Sequence, residues 1–173
     1  GLDSMLAVCV LRRQGVEVLG LTFETPFFGS AKARKAAEFL GIALEVKDIT
    51  REHLKIVKNP PSGYGSNMNP CIDCHALMIE IAGGMMERRG YDFVFTGEVL
   101  GERPMSQNRG SLNRVVKLSG YKGYVLRPLS ARLLPETIPE KNGIVDRSRL
   151  LDISGRSRKR QIALAAEYGI DSY

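Results

Sequence analysis

Short, nearly continuous apolar runs alternate with longer segments of helical pattern along this chain, and this alternation limits the fold more than any other feature. Residues 16–23 read as a buried strand, residues 43–49 as a second, residues 93–95 as a third and residues 125–126 as a brief fourth. Between them, residues 3–14, 30–40, 51–58, 72–89 and 157–168 read as helices, with Ser30 as a cap and Gly41, Gly90 and Gly169 as stops. Residues 105–119 read as partly helical, residues 62–69 as an irregular loop rich in Gly, Ser and Asn, and residues 131–152 as an insertion. Strands without polar alternation are buried on both faces, and a helix between successive strands brings the chain back to pair in parallel. The pattern therefore predicts an α/β fold with a parallel, doubly wound sheet. Ligands in such sheets bind beyond the carboxyl ends of the strands. At that edge the sequence places residues 22–24, residues 48–50 and Thr96-Gly97-Glu98.

With 173 residues, 43% apolar and 25% charged, the chain suits one α/β domain with a sizeable core. No stretch approaches the ~20 apolar residues of a membrane span, and no secretory signal is visible, so no membrane partner is expected. Three cysteines, Cys9, Cys71 and Cys74, do not make a disulfide framework and fit a reducing, cytoplasmic compartment. Charge is uneven: residues 1–100 carry 11 Lys and Arg against 12 Asp and Glu, and the remainder 14 against 7. A basic half on a neutral half suits a polyanion or a phosphate-rich ligand; a merely solvated basic surface is the plain alternative.

Four constellations carry chemistry. Gly1-Leu2-Asp3-Ser4 leads directly into an apolar helix. A glycine, an acid and a hydroxyl at a helix start are suited to a nucleotide phosphate, because the first turn offers free N–H groups and the positive end of the dipole; an ordinary helix cap is the plain alternative. Asn69-Pro70-Cys71-Ile72-Asp73-Cys74-His75 opens the long helix with two thiols three residues apart. Such a pair can converge on a metal or form a redox couple, and the helix field is expected to favour thiolate. Cys71-x-x-Cys74-His75 also has the form of a c-type haem site, with Met68 as an axial ligand, but nothing else suggests a haem pocket. Thr96-Gly97-Glu98-Val99-Leu100-Gly101, with Ser106-Gln107 after it, follows a strand as a second ligand-binding loop. Arg127-Pro128-Leu129 and the basic start of the last helix supply cations, among which Lys159 is placed to reach a phosphate.

Taken together and in this order, the four resemble the PP-loop ATP pyrophosphatases that thiolate transfer RNA. Gly1-Leu2-Asp3-Ser4 resembles the last four residues of that family's Ser-Gly-Gly-x-Asp-Ser phosphate loop. Thr96-Gly97-Glu98-x-Leu100-Gly101 with Ser106-Gln107, and Arg127-Pro128-Leu129 followed by Lys159-x-x-Ile162, are similar to the corresponding stretches of tRNA 4-thiouridine synthases. Asn69-Pro70-x-x-x-Cys74 is similar to the first cysteine motif of tRNA 2-thiouridylases, whose catalytic cysteine matches Cys74, and the Cys71-x-x-Cys74 pair is similar to that of iron–sulfur-dependent tRNA thiolases. His75 stands where 2-thiouridylases have Asn, and no cysteine follows Cys74 in this chain.

The resemblance implies one PP-loop domain over residues 1–173, with a first strand expected before Gly1 and further segments after Tyr173. It implies that ATP is bound through Gly1, Asp3, Ser4, Thr22, Phe23, Thr96, Gly97 and Lys159, with Mg²⁺ placed by Asp3. A uridine carbonyl would be adenylated, and sulfur carried on Cys74, assisted by Cys71, would displace AMP. Persulfide or disulfide chemistry is preferred for the pair; an iron–sulfur cluster or zinc ligated by Cys71 and Cys74 is the second choice. The implied partners are tRNA and a sulfur-donor protein, with self-association as a homodimer open. Two other readings compete: an amide-forming PP-loop enzyme that accepts ammonia, and a non-catalytic nucleotide- or metal-binding module.

Overall fold

The computed structural model describes residues 1–64 and 70–172. The loop residues Asn69 and Met68, singled out in the sequence, lie outside the described residues. The chain is mixed α/β, and its strands pair in parallel. Helices α1 (Leu2–Arg12), α2 (Ala31–Leu40) and α3 (Thr50–Lys58) alternate with strands β1 (Gly20–Glu24) and β2 (Leu44–Asp48). Helix α4 (Cys71–Arg89) then leads to β3 (Val94–Phe95), α5 (Arg109–Leu118) and β4 (Val125–Leu126). The short α6 (Ile138–Lys141) lies in the stretch read as an insertion, and α7 (Lys159–Glu167) is the last helix.

The sequence pattern located these elements to within a few residues. Gly41 and Gly90 end α2 and α4 in the left-handed conformation, at φ 61° and 71°, which glycine adopts without a Cβ clash. Ser30 stands at the N-cap of α2 but makes no cap hydrogen bond; its hydroxyl donates to the Glu24 carboxylate instead. The first strand is shorter than expected, starting at Gly20 rather than residue 16.

Among the described residues the strands form two separate parallel pairs. Gly20–Glu24 runs in register with Leu44–Asp48, and Val94–Phe95 with Val125–Leu126. β1 and β3 are not paired with each other. A slot of about 1090 Å³ lies between them, flanked by Val16–Leu21 on one side and Phe93–Phe95 on the other, with Val8 of α1 and Ile79, Met85 and Met86 of α4 also lining it. The lining is mixed: apolar strand and helix residues alternate with polar ones such as Glu17, Arg89 and Asp92.

The core gathers on α1, whose residues Leu2, Met5, Leu6, Ala7, Val10 and Leu11 are all buried. A helix apolar around most of its circumference belongs inside. It packs with Val99, Leu126, Leu129, Val145, Leu150, Ile153 and Ala165. A second cluster, Ile79, Val115, Val116 and Val125, joins α4 to α5. Here α4 carries Gly83 against the Tyr121 ring, where an added Cβ would lie 2.3 Å from ring carbons. The Tyr121 hydroxyl donates to Glu87 one turn further on, at 3.0 Å, and fixes the ring over the glycine. Gly83→Ala should therefore lower stability by about 1–3 kcal/mol through overpacking. Adding Tyr121→Ala should recover part of that loss in denaturant melts, because the two residues share one contact.

Candidate active site

Two cavities meet at the first turns of α4. The polar end of the β1–β3 slot collects Gly1, Asp3, Ser4, Phe23, Thr96 and Gly97. α1 starts there with Gly1 as N-cap and no side-chain cap hydrogen bond among the described residues, and a helix start of this kind suits an anion. The βα loop after β3 closes on this turn backbone to backbone. A Cβ on Gly97 would lie 2.4 Å from the Ser4 nitrogen and 2.6 Å from the Asp3 carbonyl carbon, so only a glycine allows this approach.

Two residues expected to bind ATP, Lys159 and Thr22, do not line the slot. Lys159, the first residue of α7, is exposed. Its neighbour Arg158, at the N-cap, faces Asp3 instead: its Nη2 lies 3.3 Å from both carboxylate oxygens, and its Nε lies 3.5 Å from Glu102 Oε1. Adjacent residues at a helix start point about 100° apart, so α7 presents one of the two and turns the other out. Thr22 does not line the slot, whereas Phe23 does, because successive strand residues face opposite sides.

Glu98, next to Gly97, is the electrostatic centre. Its Oε2 accepts from Arg127 Nε at 2.9 Å and from the Thr96 hydroxyl at 3.0 Å, and its Oε1 lies 3.3 Å from His75 Nδ1. Burial alone would raise its pKa, but His75 and Arg127 outweigh burial and lower it from the ordinary 4.5 to about 2. Arg127 is itself buried, and its Nη2 has no hydrogen-bond partner among the described residues. Glu98 and His75 belong to the two motifs read from sequence, Thr96–Gly101 and Cys71-x-x-Cys74-His75, but their pairing with each other and with Arg127 carries no sequence signal.

The second cavity, of about 420 Å³, is largely apolar and lies under the start of α4. Cys71 and Cys74 both line it, along with Phe27, Phe28, Val57 and Pro70. His75 and Met78 line both this cavity and the slot, so they form a common wall. Asp73, between the cysteines, accepts from Ser62 N and Oγ at 2.9 and 2.6 Å and anchors the preceding loop on α4. Cys74 does not gain the thiolate character expected of a helix start. Burial, and to a smaller extent the neighbouring Cys71 and Asp73, push its pKa from 9.0 to about 11. Its own N–H is already satisfied by the Pro70 carbonyl at 3.0 Å. His53 of α3 sits 3.2 Å from the sulfur, Nε2 to Sγ. Cys9 is half-buried against the main core, away from this pair.

The donor set does not fit the second choice of an iron–sulfur cluster or zinc. Among the described residues, no group of three or more His, Cys, Asp and Glu side chains is placed to hold a metal ion. A structural zinc site needs four ligands. Mg²⁺ bound with a nucleotide asks for less, one or two carboxylates beside phosphate oxygens, and Asp3 with Glu102 meets that. Among the described residues, no helix is long and apolar enough to cross a membrane.

No family model matches the chain. It is 30% identical over 164 residues to tRNA-specific 2-thiouridylase MnmA of Endomicrobium trichonymphae, across 80% of this chain and 46% of that protein. It is 31% identical over 156 residues to the protein of the same description from a Nostoc species, across 80% and 43%. A third, from Pelobacter propionicus, is 25% identical over 173 residues, across 90% and 47%. The chain thus spans less than half the length of these curated relatives.

The Glu98 network predicts a stability limit at low pH. A carboxylate whose folded pKa lies below its unfolded one contributes stability that is present above the unfolded value and lost as pH falls through the folded value. Wild-type protein should therefore lose stability between about pH 5 and about pH 2. Glu98→Gln should flatten that part of the pH–stability curve. At neutral pH it should cost about 3–5 kcal/mol, because Arg127 keeps a buried charge without its partner. Urea melts across this pH range measure both.

Proposed function

Because the chain is a distant homologue of the tRNA-specific 2-thiouridylases, which are PP-loop proteins, we propose that it adenylates a uridine carbonyl of tRNA with ATP and replaces the oxygen with sulfur. The reading takes residues 1–173 as a single PP-loop domain, with its two strand pairs as parts of one doubly wound sheet. The observation that carries it is the common wall. His75 and Met78 separate a polar helix-start site suited to phosphates from an apolar cavity holding two thiols. The two half-reactions of thiolation need those two chemistries side by side, and holding both substrates in one frame supplies the orientation.

In this mechanism the free N–H groups at the start of α1 and the Ser4 hydroxyl hold the phosphates. Mg²⁺ bound with the nucleotide would be held by Asp3 and would supply charge neutralisation. The uridine carbonyl oxygen attacks the α-phosphorus; that P–O bond forms, the bond to the β-phosphate breaks, and pyrophosphate leaves. Arg158, paired with Asp3, stands where it can offset negative charge at the phosphates. The outer sulfur of a persulfide on Cys74 then attacks the activated carbon, and AMP leaves. The thiolate of Cys71 attacks Cys74 Sγ, which frees the sulfur on the base and leaves a Cys71–Cys74 disulfide for a dithiol reductant to reopen. A sulfur-donor protein would load Cys74. The thiols favour this reading over an amide-forming relative, which needs an ammonia route and no cysteine.

ATP-dependent transfer of labelled sulfur from a persulfide donor into tRNA tests the proposal; amide formation without sulfur transfer would overturn it. Asp3→Ala should lower tRNA-dependent pyrophosphate release about 10²–10³-fold with an unchanged melting temperature. Cys74→Ser should keep pyrophosphate release and lose thiolation. Loss of both activities together in Cys74→Ser would contradict the division of labour between the two cavities.

A further inference from the structure

The thiolation reading leaves one buried group unused. His53 is 6% exposed, on the α3 face turned towards α4. Phe28 packs edge-on against its ring at 5.4 Å and 86°, and Phe27 tilts over it at 5.7 Å. Its Nε2 is 3.2 Å from Cys74 Sγ, and its Nδ1 is buried with no hydrogen-bond partner among the described residues. The other ionisable groups around the pair are Cys71 and His75, which line the same cavity, and Asp73, which is held by Ser62. His75 in turn is held by Glu98.

Burial disfavours charge on both members. The Cys74 thiol is pushed up to about 11, and the imidazole is pushed down from its ordinary value. With both groups neutral, the thiol donates to Nε2 in the tautomer that carries the imidazole proton on Nδ1, and this is the tautomer that can accept the Cys74 proton. A thiol in that state attacks poorly at neutral pH unless a base takes its proton during the attack.

We propose that His53 is the base that accepts the Cys74 proton when this sulfur attacks a persulfide donor, so that the two act as a Cys–His pair. This rests on the reading of Cys74 as the sulfur carrier. Cys74 Sγ attacks the outer sulfur of a persulfide, R–S–SH. The Sγ–S bond forms and the R–S bond to that sulfur breaks. The thiol proton passes to His53 Nε2 and then to the departing thiolate, giving Cys74 persulfide and R–SH with no net oxidation. Phe28 covers one edge of the imidazole, while Phe27, which tilts over it, is itself exposed.

The test uses the full-length protein with glutathione persulfide as donor, and site-resolved mass spectrometry of Cys74 between pH 7 and pH 10. His53→Ala and His53→Gln should each load sulfur at least about 100-fold more slowly than wild type at pH 7, the usual scale for a lost general base. The deficit should shrink as pH rises, because hydroxide then removes the proton. Alkylation of Cys74 by iodoacetamide should show the same His53-dependent pH profile. Variant and wild-type curves that run parallel across the pH range would mean a packing role and overturn the proposal, as would full activity in His53→Gln. Where His53→Ala does not fold, the nearly isosteric glutamine variant decides. If wild-type Cys74 takes up no sulfur yet its alkylation keeps the His53-dependent profile, the carrier reading fails and the pair stands. If sulfur loads equally well without His53, the pair fails and the carrier reading stands.

Discussion

The buried carboxylate of Glu98 holds together segments that are far apart in the chain. It joins the loop after β3 to Arg127 beyond β4 and to His75 in the second turn of α4. A charge taken out of water is tolerated only when it is paired and hydrogen-bonded, so these positions constrain one another. One residue before Glu98, Gly97 packs its backbone on Asp3 and Ser4. The phosphate-type helix start and the thiol-bearing helix start are therefore fixed in one frame by two neighbouring residues. The geometry of any reaction that uses both depends on that frame.

Cys74 shows two effects of opposite sign competing at one residue. A helix N-terminus favours thiolate by about 0.3–1 kcal/mol in exposed settings. Burial disfavours it by more, and the thiol moves upward to about 11 rather than down. The amide of Cys74 itself is spent on the Pro70 carbonyl. Reactivity here must come from a neighbour, and the neighbour within reach is an imidazole brought in by α3.

The slot between β1 and β3 has a related origin. Strands written as continuous apolar runs are meant to be covered on both faces and paired on both edges. Among the described residues, β1 and β3 each pair with one neighbour and face the slot with the other edge. One end of the slot is lined by Gly1, Asp3, Ser4, Thr96 and Gly97, and the carboxyl ends of strands are where ligands sit in parallel sheets. Sheet geometry and ligand geometry thus point to the same edge.

Much of the architecture was legible in the sequence. Apolar runs fixed the strands, and Gly41 and Gly90 fixed helix ends, because periodicity and left-handed glycines are local properties. Asp3, Ser4, Thr96, Gly97, Cys71 and Cys74 were legible as candidates, and they line the two cavities, because their motifs sit next to elements that locate them. The parallel sense of pairing was legible, but not its extent: one sheet was expected, and the described strands form two parallel pairs. Nor was the choice of Arg158 over Lys159, since one residue of helix phase decides which side chain meets Asp3. His53 carried no motif and became visible only where α3 packs on α4, 21 positions from Cys74. The sequence by itself determined which segments are helices and strands and which motifs are candidates for phosphate and sulfur chemistry, since each depends on neighbours along the chain. Only the tertiary structure decided the protonation of Cys74, the pairing of Glu98 and the place of His53, since burial and charge partners are set by residues distant in sequence.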